Sequence, residues 1–190
     1  MFLKKMEGVS KMNQNYNHNK KQFIFIFLLI ALLTINGWSM ANNIDENTMN
    51  KPLTWLTYQK GLTKSQVENK PTLLYFYSDR CSWCNKLEEE TFTNTKVKDY
   101  LIENFSLVRI NSNSSEVFME EGKQIKESEL VQRYQVGGFP TIWFLDQNNQ
   151  RIASLPGYVE AEIFINVLDY INGGHYTEHT FQEFMANKNA

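Results

Sequence analysis

Thr72-Leu73-Leu74-Tyr75-Phe76-Tyr77-Ser78-Asp79-Arg80-Cys81-Ser82-Trp83-Cys84-Asn85-Lys86-Leu87 decides how the rest of this chain is read. Its first six residues are an aromatic-rich apolar run of the length expected for a strand buried on both faces. Ser78-Asp79-Arg80 makes the turn, and Cys81 to Phe92 reads as a helix whose first turn holds both cysteines. They are the only two cysteines among 190 residues, three positions apart. A bridge across so short a loop removes little entropy from the unfolded chain, so stabilisation explains the pair poorly and reactivity explains it well. The first turn of a helix has N–H groups without intrahelical partners, and its dipole favours negative charge. A thiolate placed there is stabilised. Arg80 acts in the same sense and Asp79 partly opposes it. Cys81 is therefore expected to be the attacking thiolate, and Cys84, one turn further in and more buried, the thiol that resolves the mixed disulfide.

Two blander readings of the pair are an inert bridge and half of a metal site. Zinc needs four ligands, usually as two close pairs. His175 and His179 have a suitable spacing, about 90 residues away in sequence. Both read better as solvated residues near the end of the chain, and no metal is expected.

Outward from this stretch the elements alternate. Leu53 to Val67 carries Trp55, Leu56, Tyr58 and Leu62 at roughly helical spacing. Val97 to Phe105 continues the helix of the cysteines after a kink near Asn94, and Ser106 to Asn111 is the next strand. Ser112 to Glu127 is a polar, uneven loop, either a passive surface segment or a flap beside the site. Ser128 to Tyr134 is a short helix. Thr141 to Leu145 and Arg151 to Leu155 are strands joined by a turn at Asp146-Gln147-Asn148-Asn149. Ile163, Phe164, Val167, Leu168 and Ile171 form the apolar stripe of a helix over Glu160–Ile171, ended by Gly173-Gly174. Thr180 to Met185 is a short last helix. The order is α/β, with a sheet that must be mixed. Trp55, Phe76, Trp143 and Phe164 read as core residues. The Glu88-Glu89-Glu90 run reads as a wet helix face.

The beginning of the chain is of another kind. Lys20 and Lys21 precede the apolar run Phe23–Leu33, followed by Ser39-Met40-Ala41. This is the pattern of a secretory signal peptide cut after Ala41, with an uncleaved anchor as the alternative. Residues 42–52 read as a flexible leader and 53–190 as one domain, placed in the periplasm or otherwise outside the cytoplasm. Residues 1–41 hold five lysines and one glutamate, so the remainder keeps 14 of the 19 basic and 20 of the 21 acidic side chains. An acidic domain without a basic stripe is a poor partner for nucleic acid.

Ahead of the strand at Thr141 stands Val136-Gly137-Gly138-Phe139-Pro140-Thr141. Here the chain resembles the thioredoxin superfamily, whose members pair a helix-opening Cys-x-x-Cys with a cis-proline in a Gly-x-Pro-Thr context. The resemblance runs from about Trp55 to Met185. It implies a thioredoxin fold, a central mixed sheet flanked by helices, here with an N-terminal helical extension and an inserted loop. It also implies that Pro140 is cis against the cysteines, and that in the Gly138-Phe139-Pro140 substrate platform Phe139 offers its backbone N–H and C=O to an extended substrate chain. Trp83, between the cysteines, reads as a partly exposed substrate-binding residue beside the site, with core packing as the alternative. Within the superfamily the chain looks most like bacterial periplasmic thioredoxins associated with sulfur oxidation, which share a Cys-x-aromatic-Cys centre and an ending like Pro156-Gly157-Tyr158.

Several positions depart from the family pattern. Arg80 stands where Trp is usual, and Ser82-Trp83 replaces Gly-Pro. The buried Asp that moves protons for the resolving cysteine is matched by Tyr75, and its partner Lys by about Leu107. Water or Glu88 would have to take the proton of Cys84 instead. The resemblance implies dithiol–disulfide exchange with no cofactor, acting on disulfides of exported proteins with electrons from a membrane thiol donor. A Dsb-type oxidase or isomerase and a non-catalytic peptide-binding module remain as alternatives.

Overall fold

The computed structural model describes residues 51–188. The expected signal peptide over residues 1–41, and the leader up to residue 50, lie outside the described residues.

The central strand is β1, Thr72–Tyr77. It pairs in parallel with β2, Ser106–Asn111, and antiparallel with β5, Thr141–Leu145, which pairs antiparallel with β6, Arg151–Pro156. The strand order is β2-β1-β5-β6, a mixed sheet. Successive side chains of a strand point to opposite faces, and β1 feeds two cores. Leu73 and Tyr75 join Cys84, Leu87, Phe92, Val97, Leu101, Phe164 and Leu168 on one face. Leu74 and Phe76 join Tyr58, Val108, Leu130 and Tyr134 on the other. Covering on both faces is why β1 is an unbroken apolar run rather than an alternating one.

The first face is covered by α2 (Ser82–Lys86, continued by a π-turn over Leu87–Thr91), α3 (Thr95–Asn104) and α5 (Ala161–Asn172). The second is covered by α1 (Tyr58–Glu68) and α4 (Glu129–Arg133). Asn94 caps α3, its side chain accepting from the N–H groups of Lys96 and Val97. Gly61 lets α1 lie close on β2, because a Cβ there would collide with Val108 Cγ2. A short 3-10 turn, His175–Thr177, leads to α6, Phe181–Lys188, and His175 packs its ring on Phe184 at 4.7 Å. Among the described residues no helix is long and apolar enough to cross a membrane.

Three expectations are corrected. The first helix begins at Tyr58, not Leu53. Leu56 is instead extended and bridges Val108 of β2, with its N–H donating to Leu107 O at 2.9 Å and its carbonyl accepting from Arg109 N. The open edge of β2 offers these bonds, and they outweigh helical spacing. Trp55 is thereby released from the helix to pack on Tyr75 and Phe92. Second, the polar stretch 112–127 contains a hairpin, β3 (Val117–Glu120) with β4 (Lys123–Lys126), turned at Glu121 and Gly122, both with positive φ. Phe118 is one of its inward residues and lies 5.4 Å from the Tyr58 ring. Third, the helix of the cysteines is not uniform: Cys81 is its N-cap, and its regular α-turns end at Lys86.

Candidate active site

The turn after β1 delivers Cys81 to the start of α2 in extended conformation, with φ −97° and ψ 102°. Cys81 and Cys84 are joined in a disulfide, their Cα atoms 5.2 Å apart. Cys84 is 1% exposed, whereas Cys81 is half-buried at the surface. Cys84 N–H donates to Cys81 Sγ at 3.0 Å and lies 3.1 Å from Cys81 O. A backbone donor is thus already aimed at the sulfur that would carry charge on reduction. Arg80 is exposed beside it, and Asp79 accepts from Asn111 Nδ2 at 2.7 Å, which ties the turn to the end of β2.

The Phe139–Pro140 peptide is cis, at the entry to β5. Pro140 is buried, Phe139 half-buried and Gly138 exposed. Thr141 Oγ1 donates to Gly138 O at 2.8 Å, and Gly157 N donates to Pro140 O at 2.8 Å. Phe139 packs against both cores, and its contacts include the core of the cysteines. Trp83 is 55% exposed.

Four residues after Cys84 stands Glu88, in the π-turn that continues α2. Its Oε1 accepts from Tyr75 Oη at 3.0 Å and from Arg109 Nη2 at 3.0 Å. Burial first, and the Glu88 carboxylate second, hold the Tyr75 phenol well above the ordinary tyrosine value, so it stays a neutral donor. Arg109 lies 4.0 Å from the Tyr77 ring. Glu88 also lines a groove of about 320 Å³ with Leu53, Trp55, Phe92 and Lys98, which opens it to water. The residue paired with Tyr75 across the strands is Arg109, not Leu107. Leu107 pairs with Leu73 and is buried in the core, where an unpaired cation would be costly. The sequence reading missed Arg109 because only the β1–β2 register selects it.

A model of the Thioredoxin-like domain matches residues 58–172. The chain belongs to that family. Relatives of this Thioredoxin-like domain include a disulfide bond reductase, DsbH, of Chlamydia pneumoniae, 30% identical over 104 residues. They also include a thiol:disulfide interchange protein, DsbD, of Actinobacillus pleuropneumoniae, 32% identical over 116 residues. Those matches take in 54% and 60% of this chain, and 62% and 18% of the respective relatives. A thioredoxin-fold protein from Helicobacter pylori superposes with a TM-score of 0.53 at 31% identity, over 64% of this chain and 80% of that one. The family carries the thioredoxin fold expected from the sequence, and the relatives are named for disulfide reduction and for thiol:disulfide interchange.

Proposed function

We propose that this chain is an exported thiol–disulfide oxidoreductase that reduces protein disulfides by dithiol exchange. The observation that carries the reading is the unequal exposure of two bridged cysteines at a helix start, on a core that Phe139 also packs against. In the reduced protein Cys81 Sγ attacks a substrate disulfide, forming a mixed disulfide and releasing one substrate thiolate. Cys84 Sγ then attacks Cys81 Sγ, which releases the second substrate thiolate and regenerates the Cys81–Cys84 bridge. Two electrons pass from the protein to the substrate, and a thiol donor, in this reading a membrane one, restores the dithiol. The substrate backbone is taken by Gly138 and Phe139 as an added strand, next to Trp83. Arg80 favours the thiolate of Cys81. No metal or organic cofactor enters these steps.

Glu88 takes the proton of Cys84 in this scheme, in the place of the family's strand carboxylate. Tyr75 and Arg109 hold it in place, and the groove connects it to solvent. Glu88→Gln should slow breakdown of a Cys81 mixed disulfide about 10²-fold, the low end for general base catalysis. An unchanged rate in stopped-flow would assign the proton to water.

Reduction as the direction is supported by the name of the Chlamydia pneumoniae relative, while the other relative is named for interchange. The narrower likeness to thioredoxins of sulfur oxidation rests on Ser82-Trp83 and on Pro156-Gly157-Tyr158. The deciding measurement is equilibration of the couple with glutathione. A potential somewhat above about −270 mV and well below about −120 mV is expected, between thioredoxin and DsbA. A value near −120 mV would transfer the protein to the oxidases. Arg80→Trp should lower the potential slightly, because it removes a charge that favours the reduced, ionised form.

Export is supported by the basic residues, apolar run and small-x-small site that end at Ala41. N-terminal sequencing of the exported protein should begin at Asn42. A product retained in membranes with Phe23–Leu33 intact would make the segment an anchor.

A further inference from the structure

Dithiol exchange needs sulfur, a resolving thiol and a backbone platform, yet the rim of this site carries an additional device. Trp83 stands between the cysteines with 55% of its surface in water. No phenylalanine or other tryptophan among the described residues is so exposed. The ring is nevertheless held in place. Its centroid lies 5.9 Å from that of Tyr158, and Lys86 Nζ sits 5.5 Å from the Trp83 ring and 4.6 Å from the Tyr158 ring. Glu90 Oε2 accepts from Tyr158 Oη at 2.6 Å and lies 3.8 Å from Lys86 Nζ. The loop that carries Tyr158 is fixed on both sides. Gly157 N–H reaches Pro140 O, and Thr91 Oγ1 donates to Val159 O at 2.6 Å.

We propose that Trp83 and Tyr158 are specificity-determining residues, forming an aromatic wall that selects substrates with an aromatic or large aliphatic side chain next to the half-cystine attacked by Cys81. The inference rests on the exchange reading above and names the substrate class it would favour. A substrate that brings its sulfur to Cys81 brings the neighbouring side chain against the residues of the same helical turn, and Trp83 is the exposed ring there. The chemistry of the wall favours an apolar occupant. Lys86 already serves both rings as their cation, and Arg80 lies beside the nucleophile, so a basic neighbour meets like charge. An acidic neighbour finds Lys86 already paired with Glu90. The exposed face of the indole is left for apolar contact. Because Tyr158 and Lys86 fix the ring before substrate arrives, little side-chain freedom is lost on binding.

The test uses two disulfide-bonded peptides that differ only in the residue beside one cysteine, Phe in one and Ser in the other. The native protein should prefer the Phe peptide about fivefold to tenfold in kcat/KM, mostly through KM, the size of a ring-on-ring contact. Tyr158→Ala should bring the ratio below about twofold, whereas Tyr158→Phe, which keeps the ring and loses the bond to Glu90, should retain most of it. Should Tyr158→Ala fail to fold, Trp83→Ala must collapse the ratio in the same way. Equal turnover of both peptides by the native protein would overturn the proposal while leaving disulfide exchange intact. A preference that survives both alanine variants would overturn it too. Failure to exchange with either peptide or with insulin would instead defeat the exchange reading beneath it.

Discussion

Replacing Cys81 with serine is expected to abolish reduction of insulin disulfides, a loss of at least about a thousandfold, as removal of a nucleophile does. The serine hydroxyl forms no disulfide bond, and the remaining thiol is inside the protein, 1% exposed. Cys84→Ser should behave differently. Cys81 keeps its place at the surface and its hydrogen bond from the residue 84 N–H, so the first attack proceeds. The mixed disulfide then has no internal thiol to break it and accumulates on Cys81, visible as an adduct by intact mass spectrometry and released by dithiothreitol. The asymmetry of exposure is the physical basis of both results. If iodoacetamide labelled Cys84 before Cys81 in the reduced protein, the two roles would have to be exchanged.

The second large effect is on stability. Phe92→Ala should lower the free energy of unfolding by about 3–5 kcal/mol, the usual cost of a buried Phe-to-Ala truncation. Phe92 is 4% exposed and joins three aromatic neighbours, with ring centroids 5.5 Å from Trp55, 5.2 Å from Tyr75 and 6.0 Å from Phe164. It links the helix of the cysteines to α5 and to the extended segment before α1. Truncation leaves a cavity among rings that are held by the sheet and cannot collapse freely into it. Phe92→Leu keeps most of the volume and should cost far less. Urea titration of the oxidised forms would show the difference as a shift of roughly one molar or more in midpoint, with m near 1–3 kcal/mol/M. A shift of only a few tenths of a molar would mean that the ring cluster contributes little.

Much of the fold is legible in local sequence. β1 is legible because a strand buried on two faces has no polar alternation, and α5 because its apolar residues recur on one helical stripe. The redox pair is legible because few roles suit two cysteines three apart at a strand-to-helix turn. What local sequence determines, in each case, is a pattern whose period matches one kind of element.

Tertiary structure decided the rest. Leu53–Thr57 has helical spacing, yet the unpaired edge of β2 draws Leu56 into a bridge, because backbone groups at a sheet edge gain partners there. The stretch 112–127 looks like a loop because its apolar residues are few, and Phe118 shows its role only once Tyr58 supplies a ring to pack on. Arg109, not Leu107, reaches Glu88 because strand register, which no single segment encodes, sets which residue faces Tyr75. Tyr158 meets Trp83 across 75 positions of sequence because the loop after β6 is held to Pro140 and Thr91. Each of these contacts joins residues distant in the chain, and local propensity carries no information about a partner that only folding brings near.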